Sequence, residues 1–478
     1  MPLHGFAFGY LCLPLLLFVA GWLQPPIALG FVAILAIGVS PARRELAAKM
    51  EVGWRWAVGA AIVALAWTAL SGVGGLGFRN PDWPKHESVL KALVTESWPV
   101  VFEGRFPGLE GELHALVFYL GYYLPAGAVG KLFGWGAANA ALAVWTALGA
   151  WLVLSAFARL VGSGGGVAGA TLLFVFASGL DVVGSILRPG ALFGLTEHLE
   201  WWTDRWAYLS NTSHLFWAPH HALGGWLASA LVVEAVTRKG AERIAPLAVA
   251  AGLLWSPFVA LGLLPLAAIA VVRAPRETLR LPGLLAASAT GGLLTLYFLA
   301  LRQERLPASF DRSIFGERCG LFVAFLAVEF AFVWLCARPA RYDAPPVRAL
   351  WLVSGAVLLT LPFFRLGKYN DLVMRASIPA LFVLWWLAAR VLFNGDRPSR
   401  LRIALAALLV VGVATPVTEV TRSLRAWKYA PRPLAGTRDL PLAHSDAEMA
   451  RQYFGPPDAL FFRWLAKPAR VRPPAGVK

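Results

Sequence analysis

The sequence has little of what a soluble or secreted enzyme depends on. Only 15% of its 478 residues are charged, whereas 58% are hydrophobic, and one soluble core cannot enclose that much apolar surface. The three cysteines lie in or beside apolar segments without metal-ligand or redox spacing, so we expect no disulfide framework and no cysteine-based zinc site. Walker loops, dinucleotide fingerprints and nucleophile elbows are absent from the sequence. Composition therefore predicts a multi-pass membrane protein.

Acidic residues are also scarce, since 27 Asp and Glu face 43 Lys and Arg and leave a net charge of +16. The cations cluster at the ends of apolar segments, where the positive-inside rule and anionic headgroups explain them better than nucleic acid does. The 21 tryptophans suit aromatic belts at the membrane surface. We expect membrane lipids as partners and no nucleic acid.

Apolar windows predict an all-α, polytopic fold. Fourteen windows are long enough or nearly so: 5–22, 25–40, 53–75, 114–131, 138–158, 164–184, 214–236, 243–255, 257–272, 281–301, 318–337, 348–364, 372–392 and 401–418. The short pair broken at Trp255-Ser256-Pro257 is typical of a tight hairpin. We divide the chain into an N-terminal hairpin and loop (1–52), a transmembrane core (53–418) and a short tail (419–478).

Two basic loops set the orientation. One carries Arg43 and Arg44, and the other carries Arg238, Lys239 and Arg243, so both should be cytoplasmic. The polar loops 77–112, 186–213, 302–317 and 365–371 and the tail then share the outer face. An inside N-terminus and an outside tail require an odd number of crossings, which predicts about 13 transmembrane helices. The Gly-rich window 164–184 is the segment expected not to cross.

The longest of the early polar stretches runs from Gly77 to Glu112 and holds six carboxylates. Its middle has the pattern of an amphipathic helix, with apolar residues such as Val89 and Leu93 on one face, and we expect that helix to lie along the bilayer surface. Asp82 precedes it in Asn80-Pro81-Asp82-Trp83-Pro84, where the prolines restrict the backbone. The pattern favours equally a catalytic Asp82 and a side chain that only caps the helix.

A second polar stretch, from Asp181 to His221, gathers further ionisable side chains. Six of the eight histidines lie between 86 and 221. The candidates for contact with substrate in the two stretches are His86, Glu87, Glu197, His198, Glu200, Asp204, His220 and His221. A metal site is one alternative, although no ligand spacing is recognisable. Another is purely structural, with the acids flanking an aromatic belt and the histidines bonded between helices.

A third polar stretch lies at the outer start of a late apolar window. It brings Arg365, Lys368, Asn370 and Arg375 together, and arginine forks bind phosphate oxygens in pairs. A lipid-linked phosphate is therefore the expected ligand. The alternative is an ion pair of Arg375 with Asp371 at i, i+4, with Lys368 extended to the headgroups.

These features resemble the GT-C class of integral-membrane glycosyltransferases. An acid in the first outer loop, Asp82, is followed by His114-Ala-Leu-Val-Phe-Tyr-Leu-Gly-Tyr-Tyr-Leu-Pro125 and Lys131-Leu-Phe-Gly134. This is similar to the H-x-P-L-Y-Y-x-L-P pattern with a trailing K-L-F-G in such enzymes, but without the internal proline.

The resemblance implies an enzyme that uses a polyprenyl-phosphate-linked sugar donor on the extracytoplasmic side and inverts the anomeric centre. Compact loops and high usage of Ala, Leu, Gly and Arg indicate the bacterial inner membrane. The resemblance also implies that Asp82 acts as general base or helps to hold a divalent metal, Mg²⁺ or Mn²⁺, and that basic residues near later helices receive the phosphate. Two other classes stay open: a flippase for a lipid-linked saccharide, and a non-catalytic envelope-assembly protein.

Overall fold

The fold is known from a computed structural model that describes residues 3–47, 54–103, 112–162, 167–188, 198–301, 308–366, 370–393, 398–440 and 451–469. Helix dominates these residues. In the first half the helices are α1 (Leu3–Trp22), α2 (Pro25–Val39), α3 (Arg43–Ala47), α4 (Trp54–Ala69), α5 (Trp83–Thr95), α6 (Leu124–Phe133), α7 (Trp135–Val161), α8 (Val167–Phe176), α9 (Asp181–Leu187), α10 (Asn211–Trp217) and α11 (Pro219–Thr237).

The second half continues the helical pattern with shorter pieces. Its helices are α12 (Ile244–Gly252), α13 (Pro257–Arg273), α14 (Pro275–Thr278), α15 (Leu281–Phe298), α16 (Cys319–Leu326), a π-helix (Ala327–Ala331), α17 (Phe332–Cys336), α18 (Pro345–Thr360), α19 (Asp371–Ala376), α20 (Ile378–Phe393), α21 (Ser399–Gly412), α22 (Ala414–Arg425) and α23 (Leu460–Trp464).

Eight helical segments in the described residues are long and apolar enough to cross a membrane. They are Leu3–Trp22, Pro25–Ala47, Trp135–Val161, Val167–Leu187, Leu281–Phe298, Cys319–Cys336, Pro345–Phe363 and Ser399–Arg425. Three shorter apolar helices, α4, α13 and α20, accompany them. The predicted helical class with several candidate membrane spans is confirmed, but the count of about 13 crossings is not. One reason is that predicted windows such as 214–236 and 372–392 fold as two successive helices, broken near Ala218 and Ser377.

The predicted span 114–131 is wrong. Its first residues form a β-strand, β2 (Leu113–Leu116), and an α-helix begins only at α6, which has 10 residues. Ala115, Leu116 and Val117 are fully buried inside the protein. The apolar character of this stretch therefore reflects a protein core and not contact with lipid.

The window 164–184 is interrupted, as the polar residues near its end indicate. Helices α8 and α9 are separated by residues 177–180, whose backbone is bonded to other elements. The amide of Leu180 donates to the carbonyl of Val328 in the π-helix, and the carbonyl of Ala177 accepts from Asn211. Non-helical backbone at such a depth requires protein partners of this kind.

Short strands tie the loops together. A three-stranded antiparallel sheet has the order β1 (Val101–Glu103), β2, β5 (Phe454–Gly455). A second sheet pairs β3 (Ala308–Phe310) with β4 (Phe364–Leu366). Because β5 belongs to the C-terminal tail, the tail is part of the fold. Helix α23 of the tail packs inward, with Phe461 fully buried against Phe18 and Tyr297.

Helix α11 separates two polar ends of the molecule. It has 19 residues, or about 28 Å at 1.5 Å per residue, close to the thickness of a bilayer core. Its last residues lead to Arg238 and Lys239. There the two basic loops meet, since Nη1 of Arg243 lies 3.0 Å from Oε1 of Glu45. The contact agrees with the expectation that both loops lie on one face.

Candidate functional site

A polar cavity of about 270 Å³ lies at the end of α11 opposite to the basic loops. All three polar stretches of the sequence and the C-terminal tail contribute to its wall. The lining residues are Asp82, Lys85, Phe118, Tyr119, His198, Trp201, Leu209, Trp217, His220, His221, Phe258, Asp371, Met374, Arg375, Gln452 and Tyr453. The site therefore combines two carboxylates, two fixed cations, three histidines and a largely aromatic surface.

Asp82 lies on the cavity wall just before α5, and its side chain makes no capping bond to that helix. The local turn is held instead by Asn80, whose Oδ1 accepts from the amide of Asp82 at 2.9 Å. Asn80 also donates to the carbonyl of Phe216 at 2.8 Å, which fixes the loop to α10. Neither side chain therefore caps α5: Asn80 closes the turn before the helix, and Asp82 lines the cavity.

The ionisation of Asp82 is set by its neighbours. Its carboxylate lies 3.5 Å from Nζ of Lys85 and is about one third exposed. Burial alone would raise the pKa of Asp82, but the cations Lys85 and Arg375 outweigh it and hold the pKa below the usual value. Asp82 is therefore an anion at neutral pH, the state that a general base requires.

His86, a predicted substrate contact, lies beneath this wall and does not line the cavity. Its Nδ1 is 2.5 Å from the Tyr123 hydroxyl and its Nε2 is 3.0 Å from the Trp217 carbonyl. Burial and Lys85 lower the pKa of His86 to about 3, so the ring is neutral, with Nε2 donating and Nδ1 accepting. The His86 side chain therefore connects α5 to α10 and to the segment before α6.

Arg375 reaches the cavity from α19 and is 8% exposed. Its Nε lies 3.8 Å from Oδ1 of Asp371, the predicted i, i+4 partner. Neither Nε nor Nη1 has a hydrogen-bond partner among the described residues. Buried guanidinium groups without partners are costly, so an anionic ligand in the cavity would satisfy them.

His198 stands between two carboxylates at another part of the wall. Its Nδ1 is 3.1 Å from Oε1 of Glu419, and its Nε2 is 3.3 Å from Oε2 of Glu200. Burial alone would lower the pKa of His198, but the two carboxylates outweigh it and raise the pKa above the usual value. Burial also raises the pKa of Glu200, to about 7. The two carboxylates therefore favour the charged form of His198.

His220 and His221 occupy the first turn of α11, with ring centroids 4.0 Å apart. Both rings are almost completely buried, and neither Nδ1 has a partner among the described residues. The sequence alternative of two histidines satisfied by packed helices is therefore not met at Nδ1.

The remaining candidates that the structure describes do not line the cavity. Glu87 bonds Arg79 at 2.8 Å, and Asp204 pairs with Arg188 on an exposed edge. Glu200 is fully buried behind His198, where it accepts from the amide of Ser210. Arg365 lies in β4, and Asn370 donates to the carbonyl of Arg205. Glu197 and Lys368 lie outside the described residues.

Several cavity residues were not singled out in the sequence. Lys85 pairs with Asp82 at i, i+3, a spacing that could have indicated it. Tyr119 lies in the stretch taken for a span, and Gln452 and Tyr453 come from the tail. No local pattern marks these three residues. Gln452 and Tyr453 reach the cavity because β5 of the tail pairs with β2.

The side chains that line this cavity do not form a recognisable set of metal ligands. The part of the chain that the structure describes holds no group of three or more His, Cys, Asp or Glu side chains able to bind one. Each cavity carboxylate has a cationic partner, Lys85 for Asp82 and Arg375 for Asp371. We therefore assign no step to a metal.

Comparisons of the chain with protein families, with curated proteins and with solved structures gave no match.

Proposed function

We propose that the chain is a membrane-embedded glycosyltransferase that moves a sugar from a polyprenyl-phosphate donor to an acceptor hydroxyl. The observation that carries this proposal is that Asp82 and Arg375 line one cavity. Asp82 is an anionic carboxylate able to take a proton, and Arg375 is a buried guanidinium with unpartnered donors. General base and phosphate receptor are the two groups that such a transfer needs.

In the proposed step the acceptor oxygen attacks the anomeric carbon while its proton passes to a carboxylate oxygen of Asp82. The bond from that carbon to the phosphate oxygen breaks, and the phosphate leaves with the electron pair. Arg375 stabilises the charge that develops on the leaving phosphate. A single displacement of this kind inverts the anomeric centre.

The wall of the cavity suits a sugar as well as a phosphate. Tyr119, Trp201, Trp217 and Tyr453 supply flat apolar faces beside polar edges, a combination typical of sites with an apolar lining and a few placed polar groups. His220 and His221 add ring nitrogens without partners in the described chain. The proposal includes a location in the bacterial inner membrane, about 13 crossings, and a cavity that opens to the extracytoplasmic side.

A flippase for a lipid-linked saccharide is the second candidate, and broken helices favour it. Helices α8 and α9, α10 and α11, and α19 and α20 are each interrupted near the polar loops, and discontinuous helices are common at transporter sites. Against it, the ionisable groups of the cavity lie at one end of α11 and not near its middle.

Reconstitution of the purified protein into liposomes separates these functions. Radiolabelled polyprenyl-phosphate sugars are offered with cell-envelope acceptors, and both incorporation of label into acceptor and movement of donor across the bilayer are measured. A transferase incorporates label. Movement of intact donor without incorporation would identify a flippase, and neither activity with any donor would favour a non-catalytic assembly protein.

A further inference from the structure

A second pocket, of about 250 Å³, lies at the end of α11 opposite to the cavity described above. It is lined by His4 of α1, Arg44 and Glu45 of α3, and the turn from Arg238 to Ala241. Its volume is below the usual range for drug-sized ligands and would suit a headgroup better than a whole lipid.

The rim of this pocket is cationic. Arg44, Arg238 and Lys239 are all exposed. Arg238 pairs with Glu234 at 3.2 Å, while Arg44 and Lys239 make no ion pair or hydrogen bond within the described residues. Glu45 does not cancel them, because Oε1 of Glu45 is engaged by Arg243 at 3.0 Å. The rim therefore attracts an anion such as a phosphate group.

The floor of the pocket has a different character. Oε2 of Glu45 is buried without a partner among the described residues, and so is Nδ1 of His4. Nε2 of His4 is fixed beside Arg159 and Glu234, at 3.0 Å and 3.4 Å. Leaving a buried carboxylate oxygen unpaired is costly, and a donor group on a ligand would satisfy it.

We infer that this pocket binds a phospholipid headgroup that carries a hydrogen-bond donor beyond its phosphate, namely ethanolamine. The phosphate lies on the rim formed by Arg44, Arg238 and Lys239, and the ammonium reaches Glu45 on the floor. The site lies on the face of the two basic loops, where the anionic cytoplasmic leaflet is expected. It is independent of the sugar transfer proposed above.

Two matched comparisons test this site in the purified full-length protein in mixed micelles. The first compares phosphatidylethanolamine with phosphatidylcholine, which has the same net charge but no N–H donor. The second compares Arg44→Gln/Lys239→Gln with Arg400→Gln/Arg402→Gln, which removes the same charge from the start of α21. Apparent affinity is read from the melting temperature as a function of the lipid fraction, and from lipid retained in native mass spectrometry.

We expect phosphatidylethanolamine to stabilise the wild type more than phosphatidylcholine does. Its affinity should fall about tenfold in Arg44→Gln/Lys239→Gln and stay unchanged in the α21 variant. Equal effects of the two lipids, or equal losses in the two variants, would overturn the inference. In a third comparison, soluble phosphoethanolamine replaces the lipid. If it protects the wild type as well as the lipid does, and if this protection is lost in Arg44→Gln/Lys239→Gln, the result would support the same site with a soluble ligand.

Discussion

Nε of Arg375 lies 3.8 Å from Oδ1 of Asp371, one turn away on α19, which is too long for a hydrogen bond. The guanidinium is 8% exposed, and its Nε and Nη1 have no partner among the described residues. The Asp371 carboxylate therefore does not satisfy the Arg375 guanidinium, which can bind an anion in the cavity. This relationship distinguishes the phosphate-binding role from the alternative of a self-sufficient ion pair.

Arg375→Gln should reduce kcat/KM for a polyprenyl-phosphate sugar by about 10- to 100-fold, because hydrogen bonds to a charged group contribute about 1.5 to 3 kcal/mol. Arg375→Lys should lie between the variant and the wild type, since lysine keeps the charge but loses the planar fork. Steady-state transfer rates at varied donor concentration measure both. The control is Arg318→Gln, at an exposed pair with Glu317 outside the cavity; equal effects at both positions would argue against phosphate binding by Arg375.

The pH dependence of stability should report His198. Two carboxylates raise the pKa of the folded His198 above its usual value. Its contribution to stability is therefore complete below the unfolded pKa of about 6.5 and is lost as pH rises through the folded pKa. We expect the melting temperature of the wild type to exceed that of His198→Gln most at pH 6, with the difference narrowing toward pH 9. A difference that widens with pH would show that His198 is neutral.

The C-terminal tail should contribute strongly to stability. Phe461 is fully buried and packs against Phe18 and Tyr297, with ring centroids 5.9 Å and 5.2 Å away. Phe461→Ala should therefore cost about 3 to 5 kcal/mol and lower the melting temperature in detergent. Phe315→Ala removes the same ring from a site that is 71% exposed and should have little effect. A tail that is only loosely attached would give the same small change for both variants.

Local sequence was sufficient for features that depend on local rules. The break at Trp255-Ser256-Pro257 is a true helix boundary, because Ser256 caps α13 through its side chain and Pro257 begins the helix. The Gly77–Glu112 stretch contains the expected helix, α5. Five residues named from polar clustering in membrane-like sequence, Asp82, His198, His220, His221 and Arg375, line one cavity.

Long-range pairing was what the sequence could not reveal. The stretch after His114 has the hydropathy of a span, yet it pairs with β5 from more than 300 residues later, and Ala115, Leu116 and Val117 are fully buried inside the protein. The same pairing brings Gln452 and Tyr453 to the cavity. Hydropathy measures how apolar a segment is, and it does not distinguish lipid from protein as the environment. For this reason the number of crossings was the least predictable property.

The measurement that tests the central claim most directly compares Asp82→Asn with Asp439→Asn in the reconstituted transfer assay. Asp439 is a matched control, since its carboxylate lies 2.9 Å from Nζ of Lys91 on the same helix α5 but does not line the cavity. We expect Asp82→Asn to lower the transfer rate by about 100-fold or more without unfolding the protein, and Asp439→Asn to keep the wild-type rate. A wild-type rate in Asp82→Asn would contradict a mechanism in which Asp82 is the base.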